Sequence, residues 1–270
     1  MSIRDENKSF KQAKRSYIKP FKYIFTLLFG LALISLLIGF HYQFQTSFVV
    51  ALFFLLIAFI VLLIGHFYAL DKAVITALFP KLIEKINLYN SHSLIYLAYP
   101  KELSLVFKDS GLFSLNTFSR VRYAIENEEN PSITLLNLSI IMSTGSASRE
   151  IFKGGLIKIL HQKDFHALVN QAPGFLEDVH YEESSLQKSE MIYIEEGKEV
   201  FLDELEPYLK LMHSLKERYH AQDVRLSITP KALYIAFKSK KLPTKLRTFK
   251  EPQLNEIYDS FKQILHILSQ

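Results

Sequence analysis

Two histidines in the motif H-Q-K-D-F-H are the first candidates for acid–base or metal chemistry. His161 and His166 lie five residues apart. Imidazoles that bind zinc together from one helical face are four residues apart and have a Glu beside them. That pattern is absent here, so we expect surface or helix-capping roles for both histidines. We predict no metal and no cofactor.

A third histidine, His180, lies in an acidic segment of the sequence. Its neighbours include four carboxylates, Glu177, Asp178, Glu182 and Glu183. Carboxylate oxygens are the ligands that hard cations prefer. An acidic cluster of this kind is also typical of a solvated loop, and a solvated loop is what we expect here.

The Ser/Thr/Gly segment 143–148, followed by Arg149, contains the residue types that hold phosphate through backbone N–H groups. It lacks the P-loop pattern G-x-x-x-x-G-K-[ST] and leads into a predicted strand, so we predict a hairpin turn. The patterns G-x-S-x-G and G-x-G-x-x-G are also absent. For an enzyme acting on a phosphorylated substrate, the speculative ligands would be Arg149, Lys153 and His161.

A basic segment near the C-terminal end is the most uneven charge feature of residues 71–270. Thirteen residues contain six cations and no acid. They are Lys238, Lys240, Lys241, Lys245, Arg247 and Lys250. The segment would suit anionic lipid or an acidic partner, including the acidic stretch 195–206 of another copy. The alternative is an exposed loop between the last strand and the last helix.

Residues 23–70 contain no Asp, Glu, Lys or Arg. Two apolar runs, 23–40 and 48–70, would span roughly 27 and 34 Å as helices, close to the ~30 Å hydrocarbon core of a bilayer. The sequence therefore predicts a transmembrane helical hairpin. A cleaved signal peptide has a shorter apolar stretch, and a buried hairpin of a soluble protein normally keeps a polar stripe.

The distribution of basic residues predicts the orientation of this hairpin. Residues 1–22 carry seven cations, whereas the connection 41–47 carries no Lys or Arg. The seven are Arg4, Lys8, Lys11, Lys14, Arg15, Lys19 and Lys22. The positive-inside rule then puts both termini in the cytoplasm, with the hairpin in the inner membrane. This basic tail would be attracted to anionic lipid by about 1 kcal/mol per cation near the surface.

Composition limits the chemistry of the remaining chain. Seven of the 32 basic and two of the 27 acidic residues lie in the first 22, so residues 71–270 hold 25 of each sign. A neutral domain lacks the basic footprint that nucleic-acid binding needs, and we predict no nucleic-acid partner. Because the chain has no Cys, disulfides, thiolate catalysis and cysteine-ligated metals are excluded.

The residue patterns of 71–270 predict a helical connector, 71–92, followed by an α+β cytosolic domain, 93–270. Pro80 is expected to break the connector. Strands are predicted at 94–99, 103–107, 132–142, 150–160, 191–194, 224–229 and 233–237. Helices are predicted to begin at Asp203 and near Pro252. Gly154-Gly155 inside a strand indicates a bulge or a close backbone approach.

Several of these segments resemble DUF3137, a bacterial family of uncharacterised membrane proteins. The resemblance rests on the basic tail, the two spans, I-F-K-G-G-L-I-K-I (151–159) and D-F-H (164–166). It continues with V-R-L-S-I-T (224–229), A-L-Y-I-A-F (232–237) and a final helix. It implies the same fold outline and no established activity or catalytic residue.

These observations favour a membrane-anchored cytosolic binding or scaffold protein, with the bilayer and a protein partner or a second copy as its contacts. An enzyme acting on a membrane-associated or phosphorylated small substrate is the alternative, and we lean against it. A transporter or channel subunit has less support, because the spans contain no charge.

Overall fold

The computed structural model describes residues 3–42, 45–90, 93–114, 116–128, 133–145, 147–171, 179–184, 190–198, 200, 202–219 and 221–238. These residues form two compact units that divide between Lys81 and Leu82. We call residues up to 81 the helical unit and the described residues from 82 onward the sheet unit.

The helical unit consists of two long helices and a short irregular segment. Helix α1 is Ile3–Tyr42 and α2 is Gln45–Ala73, followed by a π-helical turn, Val74–Leu78, and by α3, Phe79–Asn90. Both predicted apolar runs are helical and are long and apolar enough to cross a membrane. Helix α1 begins well before the apolar run, so the described part of the basic tail is helical as well.

Small residues line the contact between α1 and α2. Ala51, Ala58 and Gly65 follow one another at intervals of seven and are buried, as is Ala32 of α1. A seven-residue spacing keeps one helix face against a partner helix. At Gly65 an added Cβ would lie 2.3 Å from Cγ of Phe21, so the two helices approach too closely for any larger side chain.

The predicted break at Pro80 is wrong, because the chain remains helical from Gln45 to Asn90. The irregularity comes one turn earlier, where the N–H of Phe79 donates to the carbonyl of Val74, five residues back. Proline lacks an N–H and its ring crowds the carbonyl four residues before it, which here belongs to Thr76. The wider π turn accommodates that crowding without ending the helix.

The sheet unit is built on nine antiparallel strands in the order β1-β2-β3-β4-β9-β8-β5-β7-β6. Helix α4, Leu202–Tyr219, packs against β8. The strands are β1 Leu94–Ala98, β2 Thr117–Asn127, β3 Ile133–Ser143, β4 Ser148–Leu160, β5 Ala167–Val169, β6 Tyr181–Ser184, β7 Ile192–Glu195, β8 Gln222–Ile228 and β9 Ala232–Lys238. Long apolar helices followed by a mostly antiparallel sheet agree with the predicted combination of helices and sheet.

The predicted pairing of β3 with β4 and the β8–β9 hairpin are confirmed. The glycine pair also marks a close backbone approach, since a Cβ on Gly154 would lie 2.2 Å from the carbonyl oxygen of Phe237 in β9. Helix α4 is present and begins at Leu202, one residue before the predicted start. The helix predicted near Pro252 lies outside the described residues.

The strand predicted at 103–107 is wrong. The chain forms two 3-10 turns there, Glu102–Leu105 and Lys108–Ser110. The hydroxyl of Ser110 donates to the carbonyl of Phe107, 2.5 Å away, and accepts from the N–H of Leu112. These local bonds replace sheet pairing, and they place Phe107 in the core beside Leu112.

Three strands were not predicted. In β2 the register shifts at Arg122, which interrupts the alternation of apolar and polar residues. Strands β5 and β6 have three and four residues, too few for a periodic signal. Strand β6 includes Glu182 and Glu183, so this part of the expected solvated loop is corrected to an exposed edge strand. Glu177 and Asp178 lie outside the described residues.

Candidate functional site

Lys238, the first cation of the predicted basic segment, ends β9 and is already engaged in an ion pair. Its Nζ lies 2.6 Å from Oδ2 of Asp223, and it also lies 5.7 Å from the centre of the Phe152 ring. Arg225 binds the same carboxylate through two bonds of 2.7 and 3.1 Å, and it donates to Oε1 of Gln171. The other five cations, Lys240, Lys241, Lys245, Arg247 and Lys250, lie outside the described residues.

Asp223 is the centre of this cluster and has a left-handed backbone, with φ of 52°. Burial by itself would raise the pKa of its carboxyl. The hydrogen bonds and charges of Arg225 and Lys238 outweigh burial and lower the pKa below its usual value. The carboxylate is therefore ionised near neutral pH and offsets one of the two cations.

The three speculative phosphate ligands do not converge. Arg149 lies near the start of β4 and His161 directly follows its end. Twelve residues of extended chain separate them by roughly 40 Å. Lys153, between them, forms a long ion pair of 3.9 Å with Glu150. One phosphate group cannot contact residues spread along a whole strand, so these residues form no common site.

The Ser/Thr/Gly segment is a hairpin turn between β3 and β4, as predicted. The N–H and the hydroxyl of Thr144 both donate to the carbonyl of Ala147, at 2.9 and 3.1 Å. Gly145 has φ of 78°, which a side chain would disfavour. The N–H of Thr144 is therefore bonded within the turn.

His161 and His166 lie in different surroundings. The ring of His161 stacks on Tyr208 of α4, with centroids 6.1 Å apart. Burial, and then the charge of Lys163, lower the pKa of His161. Burial also lowers the pKa of His166, although the charge of Glu195 opposes that shift. Both imidazoles are thus biased toward the neutral form.

Three polar residues, His166, Glu195 and Tyr181, form a row across the neighbouring strands β5, β7 and β6. The N–H of Glu195 donates to the backbone carbonyl of His166, and the N–H of His166 donates to Oε2 of Glu195. Glu195 is also directly opposite Tyr181 in the β6–β7 pairing. Burial and the Glu195 charge raise the pKa of Tyr181 to about 12. Residues opposite one another point to the same side of a sheet.

This row was not predicted from the sequence, because its members come from three separate segments. Nδ1 of His166 and the hydroxyl of Tyr181 are buried and have no hydrogen-bond partner among the described residues. A neutral imidazole, a phenol and a carboxylate offer hydrogen bonds to a small polar molecule. Within the described ranges, no three His, Asp or Glu side chains are grouped so that they could hold a metal ion.

Glu190 is the most deeply buried ion-paired carboxylate of the described sheet unit, with 7% of its side chain exposed. Lys216 and His213 of α4 lie 2.7 and 3.2 Å from its Oε1. Burial would raise the pKa of Glu190, but the hydrogen bonds from Lys216, Asn170 and His213 lower it. These bonds join the segment before β7 to α4, which indicates a structural role.

Comparisons with protein-family models, curated proteins and solved structures find no match to this chain. The resemblance to DUF3137 therefore stays a prediction. The function has to be argued from the residues of the two units.

Proposed function

We propose that this protein is anchored in the inner membrane by α1 and α2 and that it serves as a binding or scaffold protein on the cytoplasmic side. One observation carries the membrane part of the proposal. Across residues 23–68, 23 large apolar side chains are exposed, with exposed fractions from 37% to 73%.

An apolar surface of this size would be unfavourable in contact with water. A soluble monomer rarely exposes a continuous apolar patch larger than a few hundred Å². In the most apolar window of each candidate span, only 11% and 17% of the residues are buried. A bilayer covers such a surface without requiring a complementary protein, and the charge-free length of both helices fits its hydrocarbon core.

The binding role is supported by the position of the sheet unit after two such helices and by the balanced charge of residues 71–270. Anchoring concentrates a domain at a surface, where weak contacts become effective. Affinity purification of the full chain from membranes in mild detergent is expected to recover a partner or a second copy. Repeated recovery of the isolated monomer would count against a scaffold.

The enzyme alternative makes a different prediction. A panel of phosphate-containing metabolites is expected to leave the thermal unfolding temperature of the purified full chain unchanged, because Arg149, Lys153 and His161 do not converge. A reproducible increase with one metabolite would favour the enzyme, and the Arg149→Gln and Lys153→Gln variants would then show whether β4 binds it.

The basic segment from Lys238 to Lys250 is proposed to contribute to contact with anionic lipid or an acidic partner. Changing its six cations to Gln is expected to weaken sedimentation of a fragment beginning at Leu82 with anionic liposomes, since each cation near the surface contributes about 1 kcal/mol. Circular dichroism checks that the fragment is folded. Equal sedimentation of both fragments would reject the lipid contact.

A further inference from the structure

The cations of α1 lie on one side of the helix. Lys8, Lys11, Arg15, Lys19 and Lys22 are exposed, and Lys14 is half-buried. At about 100° per residue, all six fall within an arc of about 140°. We call these six residues the basic stripe. Within the described residues, no acid forms an ion pair with any of them.

The opposite side of α1 is packed against the second half of the helical unit. Phe10 is 3% exposed, and Phe21 lies against Gly65. The hydroxyls of Tyr17 and Thr76 are 3.1 Å apart. These contacts keep this part of α1 alongside α2 and the π turn.

A third contact lies nearer the start of the helix, where Nζ of Lys81 donates to the hydroxyl of Ser9 over 2.8 Å. The packing of α1 against residues 45–81 therefore extends beyond the apolar runs. For α1 to lie flat along a membrane surface, the packed segment 74–81 would have to bend away with it.

This geometry limits how much of the basic stripe reaches lipid, if the helices span the membrane as proposed above. Lys22 directly precedes the apolar run, and Lys8 lies roughly 21 Å further along the helix axis. The Debye length at physiological salt is about 8 Å. Lys19 and Lys22 are therefore near the headgroups, whereas Lys8 and Lys11 are too far away for strong attraction to them.

We propose that the outer part of the basic stripe, Lys8, Lys11 and Arg15, is a docking surface for an acidic helix of a partner protein. The inference rests on the proposed membrane anchor. The exposed cations Lys8, Lys11, Arg15, Lys19 and Lys22 are spaced by three, four, four and three residues. A helix with Glu or Asp at three- and four-residue intervals presents charges at a matching repeat of about 5–6 Å.

The stripe also lies beside an existing helix pair, which is where charged flanking positions select a further helix in coiled coils. Single-stranded nucleic acid fits less well. Between Lys8 and Lys22, Phe10 is buried, and Tyr17 and Phe21 contact the second half of the hairpin. Tyr23 is exposed, with its ring centre 6.0 Å from Nζ of Lys19, but it lies at the start of the apolar run and away from the outer cations. Beside Lys8, Lys11 and Arg15, no exposed aromatic ring of α1 is available for bases to stack on.

Fluorescence anisotropy with the full chain in nanodiscs of zwitterionic lipid tests the proposal. The probe is a labelled synthetic helical peptide with Glu at alternating three- and four-residue intervals, compared with a peptide of equal composition whose Glu residues are clustered. We expect the spaced peptide to bind more tightly. The triple variant Lys8→Glu, Lys11→Glu, Arg15→Glu is expected to weaken its binding by about tenfold or more, because attraction becomes repulsion.

A matched variant, Lys101→Glu, Lys163→Glu, Lys231→Glu, changes the charge equally at two exposed positions and one half-buried position of the sheet unit. It is expected to bind the spaced peptide as the wild-type chain does. Equal losses in both variants, or no loss in either, would overturn the proposal. Tighter binding of a labelled single-stranded oligonucleotide than of the peptide would point to nucleic acid instead and would also overturn it.

Nanodiscs containing anionic phosphatidylglycerol distinguish binding of the outer cations to lipid from binding to a protein partner. We expect these discs to leave peptide binding largely intact. Loss of peptide binding there would mean that lipid occupies the outer cations, and would refute the proposal. Failure of the chain to co-elute with nanodiscs would instead refute the membrane anchor, and peptide binding would still be measurable with the chain in detergent.

Discussion

At the scale of single residues, two carboxylates of the sheet unit are held ionised by neighbouring hydrogen-bond donors, including Lys216, Arg225 and Lys238. Glu190 bonds to Lys216 and His213 of α4, and Asp223 bonds to Arg225 and Lys238. In both cases burial opposes ionisation, and the hydrogen bonds together with the charges of Lys216, Arg225 and Lys238 outweigh it. Removing one of these cations is therefore expected to lower the free energy of unfolding by more than the energy of the lost contact, because the carboxylate charge is left poorly compensated.

Lys216→Met is expected to lower the free energy of unfolding by about 1–2 kcal/mol. Removing the bond to the buried Glu190 carboxylate accounts for the loss, which is reduced because Lys216 is 34% exposed. Lys210→Met is the control on the same helix, since Lys210 is 72% exposed and its pair with Glu206 is weak. Thermal unfolding followed by circular dichroism compares them. Equal effects would contradict a special role for Glu190.

Asp223→Asn is expected to lower stability by about 1 kcal/mol near neutral pH, a modest loss because the ion pairs are partly solvated. Asn also tolerates the left-handed backbone at this position. The pKa of Asp223 is lower in the folded chain than its unfolded value of about 3.9. Its carboxylate therefore stabilises the fold above about pH 4, and this contribution is lost as the pH falls through the folded pKa.

The measurement for Asp223 is thermal unfolding of the wild-type chain and the variant over a pH series. The difference between them is expected to be constant above about pH 4 and to shrink below it. Asp164→Asn is the control, because that side chain is 91% exposed and its ion pair with Lys198 is long, at 3.4 Å. A difference that grows on acidification would show that the carboxylate does not act as described.

At the scale of elements, the hairpin of α1 and α2 depends on small residues at its contact. Large apolar side chains cover the rest of both helices and point outward. Apolarity therefore does not distinguish the packed side of these helices from the exposed side. The size of the side chain does, since only Ala and Gly permit this approach.

Gly65→Ala is expected to separate the two helices. A Cβ there would lie 2.4 Å from Cβ of Phe21, close to the backbone, where the side chain cannot move aside easily. Gly30→Ala is the matched control, because nothing lies within 4 Å of its Cβ position. Alanine favours a helix over glycine by about 1 kcal/mol, so the control should be neutral or stabilising.

The readout for Gly65 uses the absence of Cys from the chain. Cysteines introduced at Ser9 and Lys81, whose side chains are 2.8 Å apart, are joined with a short bifunctional maleimide. We expect cross-linking to decrease in the Gly65→Ala variant and to persist in the Gly30→Ala variant. Unchanged cross-linking in both would mean that the hairpin absorbs the extra methyl group.

Sequence patterns predicted the elements with long, regular signals and missed those without them. Strands β3 and β4 are long and rich in β-forming residues, and α4 has a clear apolar stripe. The segment 103–107 is also apolar, but Ser110 and neighbouring backbone groups form local bonds that hold it in turns. The His166–Glu195–Tyr181 row could not be predicted, because its residues come together only through strand pairing.

At the scale of the whole molecule, a single topology underlies the proposed function. In the proposed topology, two spans with basic residues before the first and none in the connection would put both termini on the same side. Single cysteines at Lys8, Gln45 and Lys101 test it. In intact spheroplasts a membrane-impermeant maleimide is expected to label only the cysteine at position 45, and in inverted vesicles only those at positions 8 and 101.

Labelling of the cysteine at position 101 in intact spheroplasts would show that the orientation is reversed or that only one of the two helices spans the membrane. Recovery of the whole chain in the supernatant after ultracentrifugation would refute the proposed membrane anchor. Correct labelling in a variant with reversed charges at Lys8 and Lys11 would show that the remaining five cations suffice for orientation. These are Arg4, Lys14, Arg15, Lys19 and Lys22.

The sequence by itself determined the two long apolar helices, the charge of the residues before them and the mixture of helices and strands that follows. These are local properties, since they depend on contiguous side chains and short-range periodicity. Only the tertiary structure decided that β9 lies between β4 and β8, that Lys238 pairs with Asp223, and that the packing of α1 leaves its cations on the outside. Those features require contacts between residues far apart in the chain, and no local pattern encodes them.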